Sequence, residues 1–189
     1  RKTRGREPLV FDGATQRLTS TKLVNDVYST TNGWSFYMLL AIDYAAGSAF
    51  STSSSAWSDA GGVFCDDTGF WGVFANNQNE IGTVGYNGAN NNMRHFTTFG
   101  RGMFLLSIRV DLTTSPDTFK LRINNAAQTT NQVDGVLAGQ ATNPMRLGSS
   151  YGGGIFPVMR VWEVASWARH LSDDDDSKVR AYFSEIGGI

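Results

Sequence analysis

The feature that most constrains the fold of this chain is a strict alternation of apolar and polar residues in several separate stretches. In the longest stretch the apolar residues are Trp34, Phe36, Met38, Leu40 and Ile42. The same alternation runs through residues 104–112 and 119–123. Because successive side chains of a β-strand point to opposite faces, this period of two predicts strands with one buried and one solvated face.

Shorter apolar runs predict further strands at residues 9–11, 69–74, 80–86, 145–147 and 158–164. The segments between them are rich in Asn, Asp, Ser and Gly, which favour turns. Strands at short intervals without helices between them indicate a sandwich or a barrel. A chain of 189 residues fits one domain of this kind. We therefore predict an all-β fold, a two-sheet antiparallel jelly-roll sandwich.

One helix is predicted, at the C-terminus. Ser172 occupies the position of an N-cap, and Asp175 follows three residues later, as in a capping box. The residues 173–176 are all aspartates, which the positive end of a helix dipole favours. The apolar residues with helical spacing are Val179, Tyr182, Phe183 and Ile186.

The first eight residues differ from the remainder, so we divide the chain into an arm or linker at 1–8 and a domain at 9–189. The arm carries Arg1, Lys2, Arg4 and Arg6. It is either a solvated linker or a docking arm for an acidic partner or a neighbouring subunit. The chain begins with Arg, from which we expect either a processed leader or a piece of a longer protein.

Charge and composition exclude several classes of function. The net charge of −1 provides no general attraction to nucleic acid. No apolar run approaches the ~20 residues that a membrane-spanning helix needs. Cys65 is the only cysteine, so an internal disulfide is impossible.

The last thirty residues resemble the end of laminin G-like domains in the concanavalin A-like lectin/glucanase superfamily. The resemblance lies in the stretch from Glu163 through Trp167, Arg169 and Leu171 to Ser172, followed by the acidic helix start. Four other segments agree in order: Phe11-Asp12-Gly13, Trp34-Ser35-Phe36, Phe119 through Asn125, and Leu147-Gly148. The sequence departs from the family at two places. Asn124-Asn125 stands where the family more often has Asn-Gly, and Arg101 to Phe104 lead into a strand that in the family often begins with Trp.

The resemblance implies a sandwich with a concave face and a rim of loops. Members of the superfamily mostly bind glycans or protein surfaces, and a minority cleave polysaccharides. Fold alone does not choose among these functions.

The sequence lacks the residue patterns of the catalytic members. Glycoside hydrolysis needs two carboxylates flanking the scissile bond, and the four glutamates, Glu7, Glu80, Glu163 and Glu185, include no pair at alternate positions of one strand. Neither His95 nor His170 lies in the pattern of a related lyase. We therefore predict that the chain is not an enzyme, with a polysaccharide hydrolase or lyase as an alternative.

Two stretches combine aromatic, amide and carboxylate side chains, as sugar-binding sites do. We predict a ligand-binding rim made of Trp57, Asp66, Asp67, Asn76, Asn77, Tyr86, Asn90 and Arg94. The alternative is that these are ordinary turn residues, since Asn and Asp favour turns. No cofactor is predicted, although Asp66, Asp67 and Asn76 could supply oxygen ligands to calcium.

The predicted partner is a glycan or a glycosylated cell surface, outside the cell or on a virus particle. The competing interpretation is a structural decoration, spike or fibre module that contacts neighbouring virion or assembly subunits. No partner among nucleic acids and no insertion into a membrane is expected.

Overall fold

The computed structural model describes residues 7–14, 16–29, 31–50, 60–66, 72–86, 91–133, 143–148 and 156–189. At 22–25, 85–86 and 91–93 the description covers the backbone only. Residues 1–6 of the predicted arm lie outside the described part. No helix in that part is long and apolar enough to cross a membrane.

The chain folds into two antiparallel sheets of six strands each, followed by one C-terminal helix. The elements are β1 (Leu9–Asp12), β2 (Leu18–Leu23), α1 (Val24–Val27), β3 (Trp34–Tyr44), β4 (Gly61–Asp66), β5 (Gly72–Ala75), β6 (Glu80–Tyr86), β7 (Asn91–Thr98), β8 (Phe104–Asp111), β9 (Asp117–Ile123), β10 (Thr129–Val133), β11 (Pro144–Leu147), β12 (Val158–Trp167) and α2 (Asp173–Gly187). The first sheet has the order β1-β12-β3-β8-β9-β10, and the second has the order β2-β11-β4-β5-β6-β7. The predicted fold class, a two-sheet sandwich with a C-terminal helix, is confirmed.

The core lies between the two sheets and contains the apolar side chains that alternate along the strands. Trp34, Phe36 and Met38 of β3 point into it, and Ile108 and Val110 of β8 join them. All five are at most 2% exposed. The alternation in the sequence therefore identifies the inward face of the first sheet correctly.

The prediction that these strands are half buried is wrong for β3 and β8. The second face of β3 carries Tyr37 and Leu39, both 0% exposed. They form a second cluster with Leu105 of β8, and Phe183 of α2 packs on it. Helix α2 thus covers the outer face of the first sheet, and β3 lies between two apolar layers.

Helix α2 begins as the sequence predicts. The backbone N–H of Asp175 donates to the Ser172 hydroxyl at 3.1 Å, and Leu171, just before the cap, is buried. Gly188 ends the helix with φ of 66°, a left-handed conformation that suits glycine.

The acidic first turn of α2 has a role beyond the helix dipole. Arg109 of β8 is 3% exposed and donates to Asp173 at 2.7 Å, to the Leu171 carbonyl at 3.1 Å and to Gln128 at 2.8 Å. Its Nε lies 3.6 Å from Asp176, which is itself buried. A buried cation on the sheet therefore fixes the start of the helix.

Four strands are absent from the sequence-based prediction: β2, β4, β7 and β10. Their sequences are short or polar, as in TTNQV for β10 and NNMRHFTT for β7. Such strands carry little apolar alternation, so their pairing with neighbouring strands decides their conformation.

Candidate functional site

One end of the second sheet gathers several of the predicted ligand-binding residues. Asp66 closes β4 and pairs with Met145 of β11, while the preceding Cys65 pairs with Gly72 at the start of β5. Tyr86 closes β6 opposite Asn91 of β7. Since Gly72 also pairs with Val84, these strand ends lie side by side. Asp67 and Asn90, the next members of the predicted rim, lie outside the described residues.

Within the described residues, Asp66 supplies the carboxylate at this strand end. It is 0% exposed, and its Oδ2 accepts a hydrogen bond from the side-chain amide of Asn143 at 3.2 Å. Because Asp66 is buried, its hydrogen bond with Asn143 stabilises the strand end from inside the fold. The side chain of Tyr86 is outside the description.

Asn76 and Asn77 lie at the opposite end of the second sheet. There Gly61 of β4 pairs with Ala75, the residue before Asn76. The Asn76 amide donates to the Ser48 carbonyl at 2.8 Å and to Glu80 at 2.6 Å, and its oxygen accepts the backbone N–H groups of residues 78 and 80 at 3.0 Å. With both hydrogens and both lone pairs engaged, this buried amide holds the β5–β6 turn. Asn77 is exposed beside it.

Asp66 and Asn76, two of the three possible calcium ligands, are therefore not brought together, and the third, Asp67, lies outside the described residues. Asp66 and Asn76 are separated by the length of β5, roughly 10 Å or more at about 3.3 Å per strand residue. Calcium ligands lie about 2.3–2.6 Å from the ion, so these two side chains cannot share one. Within the described ranges, no group of three or more His, Cys, Asp or Glu residues is arranged to hold a metal.

Arg94 lies in the middle of β7 and is only 5% exposed. Burial lowers its pKa from the ordinary value, and the Asp117 carboxylate on β9 opposes that effect. The Asn131 amide of β10 donates to its backbone carbonyl. Arg94 thus helps to join the two sheets, away from the strand end. Trp57 lies outside the described residues.

A groove that the sequence analysis did not identify runs between α2 and β12. Its volume is about 410 Å³, and its lining is Glu163, Ala165, Trp167, Lys178, Val179, Tyr182 and Phe183. Tyr182 is 51% exposed, and Trp167 is held edge-on against Tyr37 at 5.7 Å. Aromatic faces beside a carboxylate and an ammonium are the mixture that suits a sugar ring.

The sequence analysis did not identify the groove because its lining residues are divided between two elements, β12 and α2. Glu163 and Trp167 belong to the segment that resembles the superfamily, where they match structural positions. Tyr182 has the helical spacing of a core residue, like Phe183. Only the position of α2 on the sheet shows that Phe183 is buried and Tyr182 is not.

Both histidines are partly buried and engaged in local contacts. The ring of His95 is 2.8 Å from the Thr129 hydroxyl, and burial lowers its pKa although a hydrogen bond with the Thr129 backbone opposes the change. The ring of His170 lies 3.6 Å from Asp111. Burial lowers the pKa of His170, and Arg109 adds to the effect while Asp111 opposes it. The lowered pKa favours the neutral form of both rings, and the backbone N–H of His170 donates to the Asn32 carbonyl at 2.9 Å in the turn before α2.

The four glutamates lie on separate elements. Glu7 precedes β1, Glu80 begins β6, Glu163 lies in β12 and Glu185 in α2. Glu80 accepts the Phe50 backbone N–H at 2.8 Å in addition to the Asn76 amide. Its carboxylate is therefore part of the turn.

Comparisons with known proteins agree with this fold. No family model matches the chain, and no curated protein matches its sequence. Among solved structures, the CBM40 domain of an IT-sialidase from Ruminococcus gnavus is similar with a TM-score of 0.63 and 12% identity, over 95% of this chain and 99% of that one.

Two neurotoxin structures are similar as well. The binding domain of botulinum neurotoxin DC, solved with rat synaptotagmin II, gives a TM-score of 0.59 and 11% identity, over 96% of this chain and 48% of that one. The second is botulinum neurotoxin type C, whose uptake into cells depends on interaction with two ganglioside molecules. It gives a TM-score of 0.57 and 11% identity, over 96% of this chain and 47% of that one. The chain spans about half the length of these neurotoxin chains. It shares the sandwich fold of carbohydrate-binding and receptor-binding domains.

Proposed function

We propose that this chain is a non-catalytic recognition module that binds carbohydrate on a glycosylated surface, as part of a larger extracellular or virion-surface protein. The observation that carries the proposal is the groove between α2 and β12, where the exposed ring of Tyr182 lies with Trp167, Glu163 and Lys178 along one cavity. A pyranose presents an apolar face and a rim of hydroxyls, so it requires both kinds of side chain.

The similar solved structures support the same class of function. A sialidase CBM40 domain and a ganglioside-dependent neurotoxin share the fold. The resemblance of residues 163–172 to laminin G-like domains points the same way. In the structure this segment ends β12, buries Leu171 and caps α2 with Ser172.

The strand end of the second sheet is the other candidate surface. We propose that Asp66, Asp67, Tyr86 and Asn90 act there together, because β4 ends at Asp66 beside the end of β6 at Tyr86, and Asp67 and Asn90 follow these ends in the sequence. Trp57, Asn77 and Arg94 stay in the proposed set as predictions from the sequence, and Asn76 contributes by holding its turn. Either surface alone would bind weakly, so adhesion would need several copies on one particle.

A glycan array with the isolated domain displayed in multiple copies, with and without calcium, tests the proposal. We expect binding to at least one glycan class. Tyr182→Ala should abolish it if the groove is the site, whereas Tyr44→Ala is the matched control, since Tyr44 is 58% exposed at the end of β3.

Trp57→Ala tests the other surface. Loss of binding at an unchanged melting temperature would assign the ligand to the loops, and a large fall in melting temperature would assign Trp57 to the core. An array without any binding by the multivalent wild-type domain would refute the proposed function.

One observation favours a second candidate function, a structural module that contacts neighbouring subunits. Leu9, Val10 and Leu18 are 51%, 61% and 49% exposed. They border a cavity of about 330 Å³ between β1 and β2, the edge strands of the two sheets. Exposed apolar residues at a strand edge suit a protein contact. Loss of assembly in a Val10→Asp variant, together with an empty glycan array, would favour this function.

A further inference from the structure

Two arginines, Arg122 and Arg180, come close to each other on the outer side of the first sheet, where α2 approaches the end of β9. Arg122 lies on β9 opposite Ser107 of β8. Its neighbours Leu121 and Ile123 pack against the core, so Arg122 is on the outer face. Arg180 reaches this place from α2 and donates to the Asn124 carbonyl and, at 3.1 Å, to the Asn125 side chain. These two asparagines follow β9 directly.

Part of the Arg122 guanidinium is without a partner within the described residues. Its Nε is buried without a hydrogen bond, and the same is true of the Nε of Arg180. Within the described residues, the ion pairs formed by Arg109, Lys120, Arg160 and Lys178 do not include Arg122 or Arg180. A buried N–H without an acceptor is costly, so it marks a place where an acceptor is expected.

The charge around the pair is positive. Arg109 and Lys120 are neighbours on the same face, and Asp173 and Asp176 are already engaged with them or with Tyr37. Burial lowers the pKa of Arg180, and the charges of Arg122 and Arg109 lower it further, although Asp176 and Tyr37 oppose the change. Two guanidiniums held together in this way attract an anion, which would relieve their repulsion and accept from both.

We infer that Arg122 and Arg180 form a binding site for a single oxyanion group, a carboxylate or a sulfate. The inference rests on the proposed function in one respect: because the domain is proposed to bind glycans, the oxyanion group belongs to an acidic sugar of a glycan. The planar guanidinium presents paired N–H groups that match two oxygens of such a group. The site extends the recognition surface to the second flank of α2.

The test compares three sugars that share one scaffold: lactose, a sialyllactose with its carboxylate, and a lactose sulfate. We expect the wild-type domain to bind at least one acidic sugar on the order of tenfold more tightly than lactose, because the acidic group adds one charge-assisted contact. This preference should weaken as salt is raised. The response to the two acidic sugars distinguishes a carboxylate from a sulfate.

Arg122→Gln should abolish the preference and leave affinity for lactose unchanged. Arg160→Gln is the matched control, because Arg160 lies on β12 of the same sheet and its Nε is likewise buried without a hydrogen bond, but its guanidinium is already paired with Asp43 at 2.9 Å. We expect the melting temperature of Arg122→Gln to be at least that of the wild type, since the substitution removes a like-charge contact.

The outcomes separate the two proposals. If glycans bind without any preference for the acidic sugars, or if Arg122→Gln keeps the preference, the inference is overturned and the proposed function stands. If no glycan binds, an NMR titration of the arginine Nε–H signals with sodium sulfate and sodium acetate decides. Saturable shifts that disappear in Arg122→Gln support the anion site and reject its sugar carrier, and their absence rejects the site.

Discussion

Replacing Arg109 with Met should destabilise the domain strongly, because this buried cation joins the outer face of the first sheet to the start of α2. The substitution removes the donors to Leu171, Gln128 and Asp173. It also leaves the carboxylate of Asp176, which is 4% exposed, with the Tyr37 hydroxyl at 2.7 Å as its side-chain hydrogen bond within the described residues, and with the more distant charge of Arg180. Removing one partner of a buried ion pair costs about 3–5 kcal/mol. We expect a loss of free energy of unfolding in that range.

A second substitution tests the reason for the loss. If the uncompensated charge of Asp176 is the main cost, then Asp176→Asn in the Arg109→Met background should recover part of the stability. Asp176→Asn alone should cost about 1–2 kcal/mol, since Arg109 keeps its other acceptors. The two effects should therefore differ from additivity by about 1 kcal/mol or more.

Urea unfolding followed by tryptophan fluorescence gives the free energies, and the five tryptophans provide the signal. Leu106→Ala, at a position that is 0% exposed in the main core, serves as a control for a loss that Asp176→Asn should not rescue. The reasoning is refuted if Arg109→Met costs less than about 1 kcal/mol, or if the two substitutions are additive within about 0.5 kcal/mol.

Three further predictions concern the helix start and the chemistry. Ser172→Ala should lower the free energy of unfolding by about 1 kcal/mol in urea titrations, because the Asp175 N–H loses its acceptor, whereas Ser177→Ala inside the helix should have a smaller effect. The hydrogen bond from Arg109 holds the pKa of Asp173 below its ordinary value. The stabilisation by ionised Asp173 is therefore present above about pH 4 and is lost as the pH falls further. Asp173→Asn should accordingly make the melting temperature depend less on pH below about pH 4. No reducing sugar should be released from β-glucans by the purified domain; release that survives repurification and disappears in Glu163→Gln would show that the domain is a hydrolase.

The sequence predicts the main core and the helix well because both depend on local patterns. Side chains such as Phe36 and Ile108 recur every second residue, and the Ser172 cap with its acidic turn is complete within five positions. The sheet order and the strands β2, β4, β7 and β10 depend on partners far along the chain, and the residues of these strands show no such repeat. This explains why the fold class is accessible from the sequence and four of its strands are not.

The predicted ligand residues show the limit of composition. Asn76 and Asp66 have the chemistry of sugar ligands, but the register of β4 with β5 places them at opposite ends of the sheet. Composition also gives no sign that Asn76 is saturated with hydrogen bonds or that Arg94 is buried. Conversely, Tyr182 and Arg122 stand in segments that read as ordinary helix and strand, and they become candidates only when α2 is placed on the first sheet.

The position of β12 and α2 has a consequence for the order of events during synthesis. The last strand lies between β1 and β3, and Tyr37 meets Asp176 across 139 residues of chain. Contacts of such long range form slowly, because the loop between them must close first. On the ribosome the apolar outer face of β3 therefore stays uncovered until α2 has emerged. A nascent chain stalled before α2 should accordingly bind holdase chaperones, and a chain that includes α2 should release them.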